Sequence, residues 1–131
     1  LYRFDKTHLI NILGYFMLKN IVITGASRGI GKQIADHLSS LDGYKIINIS
    51  RRKNKNPRIS NYSCDVSNYA EVKRTFKKIK NIDVLINNSG ITRFSKNPID
   101  NFNKIIMTNL NGFFYCSNEA IKLLKKKKIH L

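Results

Sequence analysis

The chain alternates short, β-branched apolar runs with stretches in which apolar residues recur at helical spacing. Ile21-Val22-Ile23 lies in a first predicted strand, residues 20–24. Ile30, Ile34, Ala35, Leu38 and Leu41 then share one face of a predicted helix over 29–41, and Asp42-Gly43 stops it. Tyr44 to Ile49 reads as the second strand. Lys53-Asn54-Lys55-Asn56-Pro57 reads as a polar loop, because Pro57 does not fit a strand interior. Ile59 to Cys64 is a short third strand. Ser67 is the expected N-cap of a helix over 68–80, with Ala70, Val72, Phe76 and Ile79 apolar. Asp83-Val84-Leu85-Ile86 has the near-continuous apolar character of a strand covered on both faces. After a loop through Pro98, one long helix is predicted over 100–126. Its apolar positions are Phe102, Ile105, Ile106, Leu110, Phe113, Phe114, Ile121 and Leu124, and the lysines at 125–128 suit its C-terminus. Strands alternating with helices predict an α/β fold, a doubly wound parallel sheet with right-handed crossovers and strand order 3-2-1-4.

Residues 1–18 precede this pattern and read as an N-terminal extension; 19–131 form the domain. Leu9, Ile10, Ile12, Leu13, Tyr15 and Phe16 could make a short amphipathic piece. Asn11 and Gly14 interrupt it and no small-residue cleavage site follows, so a secretory signal is disfavoured. Met17 lies just before the first strand and is the expected natural start, with residues 1–16 upstream read-through.

Composition changes the picture little. At 131 residues there is room for one core, and 42% hydrophobic content argues against global disorder. No apolar run approaches the roughly 20 residues that span a bilayer, so no membrane partner is expected. The formal charge of +16 raises a nucleic-acid reading. The lysines are spread over helix faces and accompany abundant Asn and Ile, all products of AT-rich codons, so nucleic acid is the disfavoured partner. Cys64 and Cys116 form no C-x-x-C and read as reduced core thiols in a cytoplasmic setting. His8, His37 and His130 show no metal-ligand spacing, and no metal is expected.

The candidate chemistry begins at Thr24-Gly25-Ala26-Ser27-Arg28-Gly29-Ile30-Gly31. A strand, a glycine turn and a helix in that order form a dinucleotide cradle. The glycines allow a tight turn, and backbone N–H groups at the helix start can face a pyrophosphate. Gly25, Ser27, Arg28, Gly29, Ile30 and Gly31 are the candidate residues. The spacing G-x-x-x-G-x-G closely resembles the turn of the short-chain dehydrogenase/reductase family. Three further motifs carry the same resemblance: Asp65-Val66, Asn87-Asn88-Ser89-Gly90 (the family has Ala where Ser89 stands), and Asn109-Leu110-Asn111-Gly112-Phe113-Phe114. Together they cover about residues 19–128. The resemblance implies a Rossmann-like fold and hydride transfer between a nicotinamide cofactor and a carbonyl or alcohol, a 3-oxoacyl thioester being one ordinary substrate.

Cofactor choice is read after the second strand. Where an NAD site commonly places an acid, this chain has Ser50-Arg51-Arg52. Guanidinium groups can pair with a 2′-phosphate, and Arg28 adds another nearby. In the resembling family, basic residues at both places mark NADP, so NADP is expected over NAD. By the same resemblance Asp65, with Val66, meets the adenine; a cap or turn role is equally open from the residues alone. Asn87, Ser89 and Gly90 are candidate cofactor-binding residues: Gly90 lets the backbone pass the ribose, and the asparagines, able to tie neighbouring strands, have a structural rather than catalytic role. Asn109 is the family's catalytic Asn, disturbing its helix and holding a water that relays protons to the active-site Lys.

The family's remaining machinery is a Ser and a Tyr-x-x-x-Lys pair beyond the next strand. Tyr2/Lys6, Tyr15/Lys19 and Tyr69/Lys73 match the pattern, yet all precede Asn109 and are rejected. Lys125 to Lys128 suggests an adenine tract, so a frameshift or fragment is expected. Such a chain would hold a cofactor with negligible turnover. The alternatives are a nucleotide-binding module without chemistry and, less favoured, a basic nucleic-acid binder. A missing strand neighbour would leave strand 4 an open apolar edge, and the 100–126 helix would carry an exposed apolar face; homo-oligomerisation through that helix, or poor solubility, is the expected consequence.

Overall fold

A computed structural model describes residues 18–92 and 95–124. The elements run β1 (Lys19–Thr24), α1 (Gly29–Ser40), β2 (Tyr44–Ser50), β3 (Ile59–Ser63), α2 (Tyr69–Lys77), β4 (Val84–Ile86), α3 (Pro98–Ile105), a π-helical turn (Ile106–Asn111) and α4 (Gly112–Leu124). The strands form one parallel sheet in the order β3-β2-β1-β4. The α/β class and the predicted strand order both hold. Met17, the 1–16 segment and the 125–128 lysines lie outside the described residues.

Period-two alternation divides the core. Ile21, Ile23, Ile46 and Ile59 pack with Ala35, Ile34 and Leu38 of α1 on one face of the sheet. Val22, Ile47 and Ile49 pack with Val72 and Phe76 of α2 and Cys116 and Ala120 of α4 on the other. Adjacent residues of β1 thus serve opposite faces, which explains why the run contains no polar position. Across α2 and α4, the Tyr69 and Tyr115 ring centroids are 5.0 Å apart, and the Tyr69 hydroxyl donates to Glu119 at 2.9 Å.

Several boundaries differ from the sequence reading, each for a local reason. The N-cap of α2 is Asn68, not Ser67: the Asn68 side chain accepts from Glu71 N, while Ser67 turns to Asp65. The helix ends at Lys77 rather than 80, although Ile79 and Ile82 beyond it remain buried. β4 starts at Val84 because Asp83 faces β1, accepting from Asn20 N at 2.8 Å. Nor is β4 covered on both faces. It pairs with β1 alone among the described residues, and Val84 is 41% exposed. The long helix starts at Pro98 and runs on without a gap, but it is not α-helical throughout. Asn97 caps α3 by accepting from Ile99 N and Asp100 N, with Pro98 at its first position. The π turn then separates α3 from α4. No helix among the described residues is long and apolar enough to cross a membrane.

Phe76 is 2% exposed and central to the α2/α4 face. Phe76→Ala is expected to cost about 3–5 kcal/mol of unfolding free energy, read from urea melts followed by circular dichroism.

Candidate functional site

The glycine turn and the end of β4 are interlocked. Gly25 has φ +72°, a region that favours glycine, and a Cβ there would lie 3.0 Å from Ser89 Cα. At Gly31 a Cβ would lie 2.2 Å from Asn88 Nδ2 and 2.6 Å from the Gly25 carbonyl oxygen. Gly31 therefore permits α1 to seat on the β4 turn. Asn88 Nδ2 donates to the carbonyls of Thr24 (3.1 Å) and Gly25 (3.2 Å). In return, Thr24 Oγ1 accepts from the backbone N–H groups of Asn88 (2.9 Å) and Ser89 (3.0 Å).

α1 starts differently from the other capped helices. Its N-cap is Arg28, whose side chain makes no cap hydrogen bond, and no acid occupies its first turn. α2 and α3 each have an asparagine cap and an acid in the first turn. The N–H groups that open α1 thus have neither a side-chain acceptor nor a first-turn carboxylate, which leaves a positive helix end facing the cleft.

That cleft has a volume of about 730 Å³. It runs along the C-terminal ends of the strands, where parallel α/β sheets bind ligands. The glycine turn contributes Gly25, Ser27, Arg28, Gly29 and Ile30; Ile30 is 75% exposed although it fits the apolar face of the helix pattern. The end of β2 contributes Ser50, Arg51 and Arg52. Cys64, Asp65 and Val66 line it after β3, and Asn88, Ser89, Gly90 and Ile91 after β4, with Thr108 from the π turn. Gly31 and Asn87, both expected here, are not in the lining. Asn87 Nδ2 donates instead to Ser117 Oγ of α4 at 2.9 Å. Consecutive residues leaving a strand point to opposite sides, so Asn88 takes the place expected of Asn87. The doubled Asn signalled the turn but not which amide faces it. Cys64 and Ile91 were not marked by any motif, and Thr108 stands just before Asn109 in the segment that resembles the family's.

Asp65 sits among positive neighbours. Burial pushes its carboxyl up, but hydrogen bonds from Ser67 Oγ (2.7 Å) and Ser67 N (3.0 Å), with the charges of Arg51 and Lys104, hold it below the ordinary 3.8. Asn109 is exposed and outside the cleft lining, and it grips the backbone of Ile91 twice. Its Nδ2 donates to the Ile91 carbonyl at 2.9 Å, and its Oδ1 accepts from Ile91 N at 2.8 Å. The Tyr69/Lys73 pair stands on α2 outside the cleft lining, with the Tyr69 hydroxyl engaged by Glu119. Cys64 and Cys116 are buried free thiols; burial pushes both up, Cys116 to about 12. Such thiols are poor nucleophiles. No metal-binding cluster occurs among the described residues.

A family model described as short chain dehydrogenase matches residues 19–129. The chain is 33% identical over 125 residues to the 3-oxoacyl-[acyl-carrier-protein] reductase FabG of Escherichia coli, an alignment covering 84% of this chain and 51% of that protein. The ligand-free aldohexose dehydrogenase of Thermoplasma acidophilum superposes with a TM-score of 0.74 at 32% identity, over 83% of this chain and 45% of that one. A short chain dehydrogenase of Leptospira borgpetersenii with bound NAD+ gives a TM-score of 0.71 at 27% identity, over 94% and 51% respectively. The chain spans about half the length of the curated relatives it matches.

Two outcomes follow from the geometry. Gly31→Ala forces its methyl against Asn88 and Gly25, and is expected to destabilise by about 1–3 kcal/mol in urea melts. Asp65 is held below 3.8, so its stabilisation is complete above that value and lost as pH falls through the folded pKa. Ser67→Ala should therefore lower stability by about 1 kcal/mol at pH 7. That deficit should shrink towards zero near pH 2, a trend read by repeating the melts across the acid range.

Proposed function

Because the chain belongs to the short-chain dehydrogenase/reductase family of oxidoreductases, we propose that its cleft binds NADP in preference to NAD, as the cofactor half of an enzyme acting on a carbonyl or alcohol. The observation that carries this is the lining at the end of β2. Ser50, Arg51 and Arg52 stand where an NAD site presents an acid, and Arg28 lines the same cleft. A carboxylate there would repel a 2′-phosphate; guanidinium groups pair with it. When bound, the cofactor supplies or accepts the hydride.

The chain's own residues do the positioning. The uncapped start of α1, from Ser27 to Ile30, presents N–H groups and a positive helix end to the pyrophosphate. Arg28, Arg51 and Arg52 take the 2′-phosphate. Asp65 accepts from the adenine amino group with Val66 beside it, and Ser89 and Gly90 border the ribose. Each polar atom of the Asn109 side chain makes one hydrogen bond to Ile91, which leaves the amide a second N–H and a second lone pair with which to hold a relay water. Within these 131 residues no Tyr-x-x-x-Lys follows Asn109, so the residues present are the cofactor half of the family's machinery. A 3-oxoacyl thioester is the substrate that the E. coli relative supports. The exposed apolar residues of the 98–124 region (Phe102, Leu110, Phe113, Phe114 and Ile121) support self-association. The buried, unpaired thiols support a cytoplasmic setting.

Calorimetric titration tests the cofactor reading. NADP+ is expected to bind at least about tenfold more tightly than NAD+, and Arg51→Glu to remove that preference, as loss of one charge-assisted contact predicts. Equal affinity for the two cofactors would overturn it. Sedimentation velocity tests self-association: a monomer at every concentration counts against it.

A further inference from the structure

The segment between β2 and β3 is unusual in what holds it. Arg51, Arg52, Lys53, Lys55 and Arg58 place five cations within eight residues, and all five are exposed. Like charges at this density push a loop open. Beneath them lie neutral amides. Asn48, on β2, is 0% exposed; Asn54, in the loop, is 3% exposed.

Asn48 Oδ1 accepts from Ala26 N at 3.0 Å. Its Nδ2 donates to Asn61 Oδ1 at 2.8 Å and to the Arg52 carbonyl at 3.3 Å. Asn54 Nδ2 donates to the Ala26 carbonyl at 2.8 Å, and Asn54 N donates to Asn61 Oδ1 at 2.8 Å. Asn61 Nδ2 closes the ring by donating to the Asn54 carbonyl at 3.1 Å. Asn54 Nδ2 also reaches Asp36 Oδ1 of α1 at 3.4 Å, and Asn56 Nδ2 donates to the same oxygen (3.2 Å) and to Ser39 Oγ (3.0 Å). No buried side-chain nitrogen or oxygen among the described residues lacks a partner.

Ala26 is the centre of this network. It sits inside the glycine turn, and both its backbone polar groups are held by asparagine side chains, one from β2 and one from the loop. The arginine-bearing loop and the phosphate-facing turn are therefore bound through one residue. Charge explains the residue type. Aspartates at 48, 54 and 61 could also accept hydrogen bonds, but they would pair with the guanidinium groups above and repel a phosphate. Amides join the parts and leave the arginines positive. Asp36, the acid that this network touches, is offset by Lys32 in the same helix.

We infer that the buried Asn48 and Asn54, with the half-buried Asn61, form an amide clamp that positions Arg51 and Arg52 against the glycine turn and thereby sets selectivity for a 2′-phosphorylated dinucleotide. This rests on the NADP reading above. These asparagines are positioning residues: a fully satisfied, low-dielectric network rigidifies what it joins. A pre-placed loop binds its ligand without first being ordered.

The test is calorimetric binding of NADP+ and NAD+ to the full chain and to Asn54→Ala. The clamp predicts that Asn54→Ala lowers the NADP+/NAD+ affinity ratio by about fivefold or more, while NAD+ affinity changes by about twofold or less, because the ordering cost falls on the arginine contacts. A purely structural role would weaken both cofactors together and leave the ratio unchanged; that result overturns the clamp and leaves the NADP reading standing. No discrimination by the unmodified chain overturns both. Should Asn54→Ala not fold, amide exchange on the unmodified chain decides. The Asn54 and Ala26 N–H groups are expected to exchange within about tenfold of the β2 amides. Exchange at the rate of an open loop overturns the clamp.

Discussion

The structure depends on a contact that only glycine allows. α1 reaches the end of β4 because position 31 has no side chain: a Cβ would come within 2.2 Å of Asn88 Nδ2. That approach lets Asn88 tie the carbonyls of Thr24 and Gly25, while Thr24 returns two hydrogen bonds to the β4 turn. The central strand, the first helix and the last strand are joined at one point. The cleft is the space left along the strand ends once that joint is made. Gly31 shapes the cleft without lining it, since its contribution is distance rather than a ligand contact.

Around that joint the charges are divided by kind. Positive groups line the cleft: the uncapped end of α1, Arg28, Arg51 and Arg52. The side chains that hold them are mostly neutral amides. Asn48, Asn54, Asn61 and Asn88 all bond to the glycine turn or to each other. Asp65 is the acid in the cleft lining, and two hydrogen bonds from Ser67 keep it ionised. An acid so held can accept a hydrogen bond at neutral pH. Its charge is also felt by Arg51, one of the cations that hold it ionised.

The C-terminal elements show a second compromise. Asn109 fastens the π turn to Ile91, and Gly112, where a Cβ would lie 2.9 Å from Val66 Cγ2, fastens α4 to the chain after β3. Over Ile106–Asn111 the helix widens into a π turn. Widened turns of this type recur at functional sites because they redirect a short stretch of backbone without ending the helix. Here the widened stretch brings Thr108 to the cleft.

Much of this was legible in residue order. Alternating β-branched runs and helical spacings dictated the α/β class, because period two and period 3.6 are properties of local geometry; the expected 3-2-1-4 order is realised by pairing between strands. The glycine spacing and the absence of an acid after β2 located the cleft and its charge. Tertiary structure decided what depends on partners distant in sequence. Asn88 rather than Asn87 faces the cleft, because strand phase is set by pairing with β1. Asn68 rather than Ser67 caps α2, because Ser67 is taken by Asp65. β4 is half-covered, because coverage depends on neighbours rather than on its own apolar residues. Asn109 was expected to disturb its helix, and the extent of the π turn, Ile106–Asn111, is what the fold added, with Ile91 and Val66 meeting Asn109 and Gly112 from elsewhere in the chain. The asparagines beneath the arginine loop read in sequence only as polar loop and strand residues; the fold brought them together on Ala26.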